Sequence, residues 1–442
     1  MAASERYRLA PEESRAVVYS TVYRVLGTPV VAALGLVNTA VIVRETGSAV
    51  FGLVSLIATV TLLLPFADLG IGATVLSASA MLHGPNRDPG APEVIRRAYR
   101  VLGAIAAGFV VLALVVMAFD GWGFLLGMSS GAADRWAITV AASVFALTIP
   151  AGLGVRILIG IDRNPLATLV LMSCPVFALL VTLLLSALDV DGIWYAVSSL
   201  GGLLCGLTLG TVLALRASGL GWSAFARVSP TSSRSRLLEG SGWLFVVAVG
   251  MPIGLQAGRL LLAHRSDPAE LSEYALMAQI YGVCWSVLST AGLAYWPVFV
   301  RRRSAVTETV RMWRRLTVVF AGYAVVVATG LALLGPGVTS ILSGRQIVVS
   351  VPLASAFGAL LVVQALYLPA NVLLTRPDEA RWQALWTVVM AAVCLGVGGV
   401  AAGPIGAFGV VTASVLGILV AQVIPCLLWV PRLVRRRPLG DV

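Results

Sequence analysis

The sequence predicts an all-α integral membrane protein of about twelve transmembrane helices, and three observations carry that prediction. Hydrophobic residues make up 59% of the 442-residue chain and charged residues only 12%, against about 25% charge in a soluble domain. Apolar runs of about 20 residues, the length that crosses about 30 Å of hydrocarbon, recur from end to end. The 31 basic residues, all arginine, fall between those runs in an alternating pattern. A chain this apolar cannot cover its own surface with polar groups in water. That excludes a row of soluble domains, a disordered chain and a disulfide scaffold.

The runs centre on 24–43, 50–70, 101–119, 136–156, 166–187, 193–215, 241–263, 274–299, 317–342, 351–374, 382–402 and 404–430. The stretch ahead of the first run is polar and no cleavage site ends that run, so it reads as a retained span rather than a removed signal. The second run continues past residue 70 to Leu82, long enough to tilt or protrude. Only Gly403 and Pro404 separate the last two runs.

Charge placement orients the spans. With the N-terminus inside, 26 arginines lie in the N-terminal segment, the inner loops and the tail. Four lie in outer loops (Arg44, Arg135, Arg265 and Arg345), and Arg259 falls within the seventh span. By the positive-inside rule both termini are cytoplasmic. The net charge of +11 is then an orientation signal against anionic lipid, and no basic soluble module exists to hold nucleic acid. The longest inner segment, 217–239, reads as a cytoplasmic linker between an N-terminal six-helix half, 1–216, and a C-terminal one, 240–442. Short similar stretches open the second span of each half. Arg44-Glu45-Thr46-Gly47 leads into Phe51-Gly52-Leu53, and Arg265-Ser266-Asp267-Pro268 leads into Tyr274-Ala275-Leu276.

Five cysteines (Cys174, Cys205, Cys284, Cys394 and Cys426) sit singly inside apolar runs, and His83 and His264 are isolated. No metal-ligand spacing results, so no metal site is expected, and the thiols read as small packing residues. The outward-facing pair Asp189 and Asp191 is the one enzyme-like signal. Its loop is only a few residues long, which favours helix capping over catalysis.

Ionisable groups inside a span are costly and mark functional sites by default. Asp68, in Pro65-Phe66-Ala67-Asp68-Leu69-Gly70, either ends its span at the inner interface or faces a hydrated cavity as a coupling-ion carrier. Arg259, one helical turn after Gln256, either snorkels to the outer interface or faces a cavity. Arg24 lies at the inner end of the first span, with Asn38 further along a neighbouring face. Gln364, Tyr367 and Asn371 share one stripe of the tenth span at i, i+3 and i+7, and Gln279, Ser286 and Thr290 share a face of the eighth. Such stripes either glue helices together or line a cavity.

Several motifs together resemble the Wzx-type polysaccharide flippases of the multidrug/oligosaccharidyl-lipid/polysaccharide exporter superfamily. They are Val43-Arg44-Glu45-Thr46-Gly47, Val50-Phe51-Gly52-Leu53 and Ala67-Asp68-Leu69-Gly70-Ile71-Gly72 in the first half. Met251-Pro252, Arg259-Leu260, Glu273-Tyr274-Ala275-Leu276, Ala294-Tyr295-Trp296-Pro297-Val298-Phe299 and Gly403-Pro404-Ile405-Gly406-Ala407 follow in the second. The resemblance implies two six-helix lobes around a central cavity in a bacterial cytoplasmic membrane. It implies a non-enzymatic transporter that moves an undecaprenyl-diphosphate-linked oligosaccharide by alternating access. Its partners would be the lipid-linked glycan, membrane lipids and other polysaccharide assembly proteins, with no cofactor. Asp68 and Arg259 match charged positions of the family's second and seventh helices. Arg259, Gln256, Arg24, Asn38, Gln364 and Asn371 are the candidate substrate contacts. A proton- or cation-coupled multidrug antiporter of the related branch is the competing reading, and a membrane glycosyltransferase the third.

Overall fold

The computed structural model describes residues 11–60, 71–82, 88–127, 131–221, 242–293, 295, 298–299, 305–374 and 377–435. Asp68, His83 and most of the linker, and the side chain of Arg24, lie outside the described residues. The described residues are helical almost throughout, as hydrocarbon demands: without water, each backbone group must find its partner within its own helix.

The helices run in order: α1 (Pro11–Val60), α2 (Ile71–Ala80), α3 (Ala91–Ala118), α4 (Gly121–Leu126), α5 (Ala132–Ala151), α6 (Leu153–Gly160), α7 (Asn164–Ala187) and α8 (Ala196–Ala217). Then come α9 (Gly242–Arg265), α10 (Pro268–Leu293), α11 (Val306–Leu342), α12 (Val351–Leu373), α13 (Pro377–Ile418) and α14 (Ile424–Arg435), with a π-helical turn at Leu419–Val423. Two of these are pairs of helices joined at a glycine. Gly47 (φ 77°) breaks α1 and Gly406 (φ 59°) breaks α13, in the left-handed region that only glycine enters freely. The first break falls between the first two spans expected from the sequence. The second falls three residues beyond the Gly403 at which the last two spans were divided.

Among the described residues, eight helical stretches are long and apolar enough to cross a membrane. The helices α9 and α10, of 24 and 26 residues, are as long but carry charged and amide groups. At 37 residues, α11 spans about 56 Å and exceeds the hydrocarbon. Its first turns carry Arg311, Arg314 and Arg315, and its later ones expose Val326, Leu333 and Leu334. Such apolar faces, repeated on α3 and α7, suit acyl chains rather than water.

The chain divides into two compact units. One comprises Met1–Asn38, Phe66–Trp122 and Ser130–Gly240; the other comprises Thr39–Pro65, Gly123–Ser129 and Ser241–Val442. The segment Thr39–Pro65 thus packs with the C-terminal helices, although it lies within the N-terminal half drawn from the linker.

In the first unit α2, α3, α5, α6, α7 and α8 enclose a core around Ile95, Leu102, Leu153, Ile157 and Leu158. Gly202, Gly206 and Gly210, one per turn of α8, face Ala178, Cys174 and Val170 of α7. A Cβ at any of the three would stand 2.3–2.7 Å from that neighbour, so the two helices approach as only a glycine ladder permits. Asp120 (φ 56°), Asp162 (φ 60°) and Asp189 (φ 50°) close α3, α6 and α7 in the left-handed conformation, which Asp tolerates better than most residues. Asp189 therefore caps a helix end. Asp191 precedes the short 3-10 turn Gly192–Tyr195 without a side-chain capping bond.

The second unit repeats the ladder. Gly250, Gly254 and Gly258 of α9 face Thr387, Met390 and Val410 of α13, each with a virtual Cβ 2.7 Å away. Glu270, in the first turn of α10, accepts the Ala407 N–H at 2.7 Å and so satisfies a backbone donor freed by the break at Gly406. Ser272 Oγ accepts the Gly52 N–H at 3.1 Å and itself donates to the Ser48 carbonyl. The two similar stretches read from the sequence therefore meet at the start of α10.

Candidate functional site

Helices α9, α10, α12 and α13 of the second unit surround a cavity of about 270 Å³. Polar lining comes from Gln256 on α9, Trp285 on α10, and Gln364, Tyr367 and Asn371 on α12. Met251, Pro252, Leu255, Leu368 and Ile418 supply the apolar walls. The i, i+3, i+7 stripe of α12 thus converges on one space, as its spacing allowed. Immediately after Ile418 the chain widens into the π-turn Leu419–Val423, an irregularity frequent at functional sites.

Hydrogen bonds orient the amides. The Tyr281 hydroxyl donates to Gln364 Oε1, and Tyr281 and Tyr274 both pack on Phe357, with ring centroids 5.5 and 5.3 Å away. The Tyr367 hydroxyl donates to Asn371 Oδ1 at 3.3 Å. Gln364 and Tyr367 are buried, whereas Asn371 is exposed. None of the described lining residues carries a charge.

Arg259, one turn past Gln256, is not among the lining residues. It is 8% exposed, its Nη1 donates to the Thr59 hydroxyl, and its guanidinium carbon lies 5.9 Å from the centre of the Tyr274 ring. Its Nε is buried without a hydrogen-bond partner among the described residues. An arginine this enclosed does not snorkel to an interface. It is held by a hydroxyl and an aromatic face and ties the segment after Gly47 to α9 and α10.

The other candidates separate. Asn38 is buried in the first unit, where the Thr182 hydroxyl donates to its Oδ1 at 2.5 Å. Thr182 in turn contacts Ser198, whose hydroxyl donates to the Ala178 carbonyl at 3.1 Å. This network joins three helices and leaves Asn38 Oδ1 engaged. On α10, Ser286 and Thr290 bond to their own backbone, Ser286 to the Val283 carbonyl and Thr290 to the Ser286 carbonyl.

Sequence reasoning missed Trp285, Tyr281 and Thr59. The tyrosine and tryptophan stand four apart on α10, a spacing that could have flagged them. Thr59 sits in an apolar run with no signal. No group of metal-ligating side chains is found among the described residues. Just ahead of the membrane-spanning part of α10, burial and the neighbouring Glu270 push the Glu273 carboxyl above its ordinary range, against a backbone hydrogen bond from Ser350.

The sequence model of a family described as "Polysaccharide biosynthesis protein" matches residues 17–302. No curated protein matches the sequence. Among solved structures, an inward-facing multidrug resistance MATE family transporter of the MOP superfamily superposes with a TM-score of 0.67 at 13% identity, over 91% of this chain and 94% of that one. A MOP superfamily transporter from Pyrococcus furiosus, described as having a binding pocket of reverse polarity, gives 0.62 at 12% identity, over 96% and 97%. The lipid II flippase MurJ in an inward closed conformation gives 0.59 at 12% identity, over 92% and 87%. The fold is that of the MOP superfamily.

Proposed function

Because the chain belongs to the polysaccharide biosynthesis protein family, a family of multi-pass membrane transporters, we propose that it moves an undecaprenyl-diphosphate-linked oligosaccharide across a bacterial cytoplasmic membrane. Both termini would lie inside. The observation that carries this reading is the family match over residues 17–302; the similarity to a lipid II flippase supports it. The physical task is to pass a polar glycan through hydrocarbon while its lipid tail remains in the bilayer. A cavity lined by amides and aromatic rings within membrane helices offers the glycan hydrogen bonds that lipid cannot.

In this reading Gln256, Gln364 and Asn371 contact the glycan, and Arg259 meets the diphosphate. Its bond to Thr59 joins a cation to a neutral hydroxyl. A phosphate oxygen arriving nearby makes a stronger, charge-assisted bond and displaces that hydroxyl. Arg24 shares the anion, and Asp68 carries the coupling proton or cation. Alternating access exposes the site to each side in turn, and no covalent chemistry is required. The antiporter reading needs an anionic anchor for a cationic drug, and no carboxylate stands among the described lining residues.

The test is deletion in the native host with side-specific labelling of the lipid-linked glycan. Accumulation on the inner leaflet is the expected result. Normal export in the deletion strain, together with increased sensitivity to cationic drugs, would transfer the assignment to the antiporter.

A further inference from the structure

We infer that the cavity of the second unit is a subsite for an uncharged sugar residue, and that it selects against glycans placing a carboxylate there. The inference rests on the flippase reading and adds the charge class of the cargo.

Among the described lining residues, three amides, a tyrosine hydroxyl and an indole N–H supply the polar side-chain groups, and none is ionised. The amide oxygens of Gln364 and Asn371 already accept from Tyr281 and Tyr367. Their NH2 groups therefore remain to donate, and Gln256 adds an amide that can donate and accept. Hydroxyl and acetamido oxygens satisfy such donors without bringing charge into the membrane. The rest of the wall suits the other face of a sugar: Trp285, Met251, Leu255 and Leu368 offer apolar surface to its C–H groups. The volume of about 270 Å³ lies near the lower end of small-molecule sites, about 300–1,000 Å³, which suits a single ring rather than an extended chain.

A hexuronic acid meets a different balance. Its carboxylate would leave water for a cavity with no cation among its described lining residues, a transfer that is expensive unless the charge is paired. The cation closest in sequence to the lining, Arg259, is held by Thr59 and Tyr274. Drawing it to a carboxylate would take the arginine from the diphosphate. Neutral cargo leaves Arg259 to the diphosphate.

The experiment uses purified full-length protein in liposomes and two polyprenyl diphosphate disaccharides that differ only in the outer sugar, a neutral hexose or the matching hexuronic acid. The wild type should move the neutral lipid at least about tenfold faster, the ratio set by one unpaired carboxylate. Gln256→Arg should narrow the ratio to about threefold or less by speeding the acidic lipid. Asn371→Lys, at an exposed position, gives the same readout should Gln256→Arg not accumulate. Equal wild-type rates for the two lipids would overturn the neutral subsite while leaving the flippase reading standing. If neither lipid moves, the flippase reading itself fails and the subsite falls with it. A variant cation that leaves the ratio unchanged would move discrimination away from this cavity.

Discussion

The two units each gather a cluster of uncharged polar side chains, and the clusters end differently. In the first, Asn38, Thr182 and Ser198 answer one another across three helices. In the second, Gln256, Gln364 and Asn371 keep amide groups for a space that the protein does not fill. The first arrangement glues helices in a medium that offers no other partners. The second holds hydrogen-bonding capacity in reserve, which lipid-facing structure has no reason to keep. A polar stripe in a membrane helix thus acquires its meaning from the neighbouring helices.

The largest expected effect breaks what the units share. Gly206→Leu on α8 and Gly254→Leu on α9 each force a side chain between helices in contact and should cost about 1–3 kcal/mol or more. Both should appear as lost accumulation and a lowered melting temperature in detergent. An asymmetric result would show that one ladder tolerates separation. Next in size, Arg259→Ala should reduce glycan export about tenfold or more in a protein that still accumulates, and Arg259→Lys should restore part of it, since an ammonium keeps the charge without the planar fork. Export at the normal rate in Arg259→Ala would reduce the arginine to a packing residue.

A pair of substitutions tests the comparison directly. Thr182→Val empties the closed network and should lower stability by about 1 kcal/mol with export per folded molecule unchanged. Gln256→Leu should do the reverse, lowering export severalfold with a near-normal melting profile, because this half-buried amide carries no helix-to-helix bond among the described residues. If the two behave alike, the distinction between closed and open clusters is lost.

The smallest effect concerns Glu273. Its carboxyl is raised by burial and by Glu270, so the folded protein holds the proton to higher pH than the unfolded chain does. Stability therefore falls as pH rises from the ordinary carboxylate range through the raised value. Glu273→Gln should be slightly more stable than the parent at neutral pH and equal to it in acid. A melting difference that is the same at every pH would remove the carboxyl as its cause.

Much of this was legible in the sequence. Spans and breaks follow from apolar length and from glycine beside proline, because hydrocarbon imposes one ruler on every helix. The α12 stripe was legible because Gln364, Tyr367 and Asn371 repeat within one helix. Asn38 looked equally functional, and nothing local distinguished it. Its partner Thr182, and Ser198 beyond it, lie 144 and 160 residues away and are unremarkable hydroxyls in apolar runs. Thr59 was hidden for the same reason: a threonine satisfied by its own helix, here through the Ser55 carbonyl, looks apolar until Arg259 reaches it. Pairings of helices that are distant in sequence carry that information.

The bond between Glu270 and Ala407 has a consequence for how the chain is built. The two residues are 137 positions apart, so several helices must leave the ribosome between the acceptor and the donor it serves. While the last hairpin emerges, the N–H group at Ala407 has no partner in its own helix, and the carboxylate that will receive it waits on an earlier segment. The hairpin therefore matures only by docking on α10. The break at Gly406 makes completion of the final membrane crossing a step of assembly as much as of insertion, with Glu270 as the fixed point against which the end of the chain is closed.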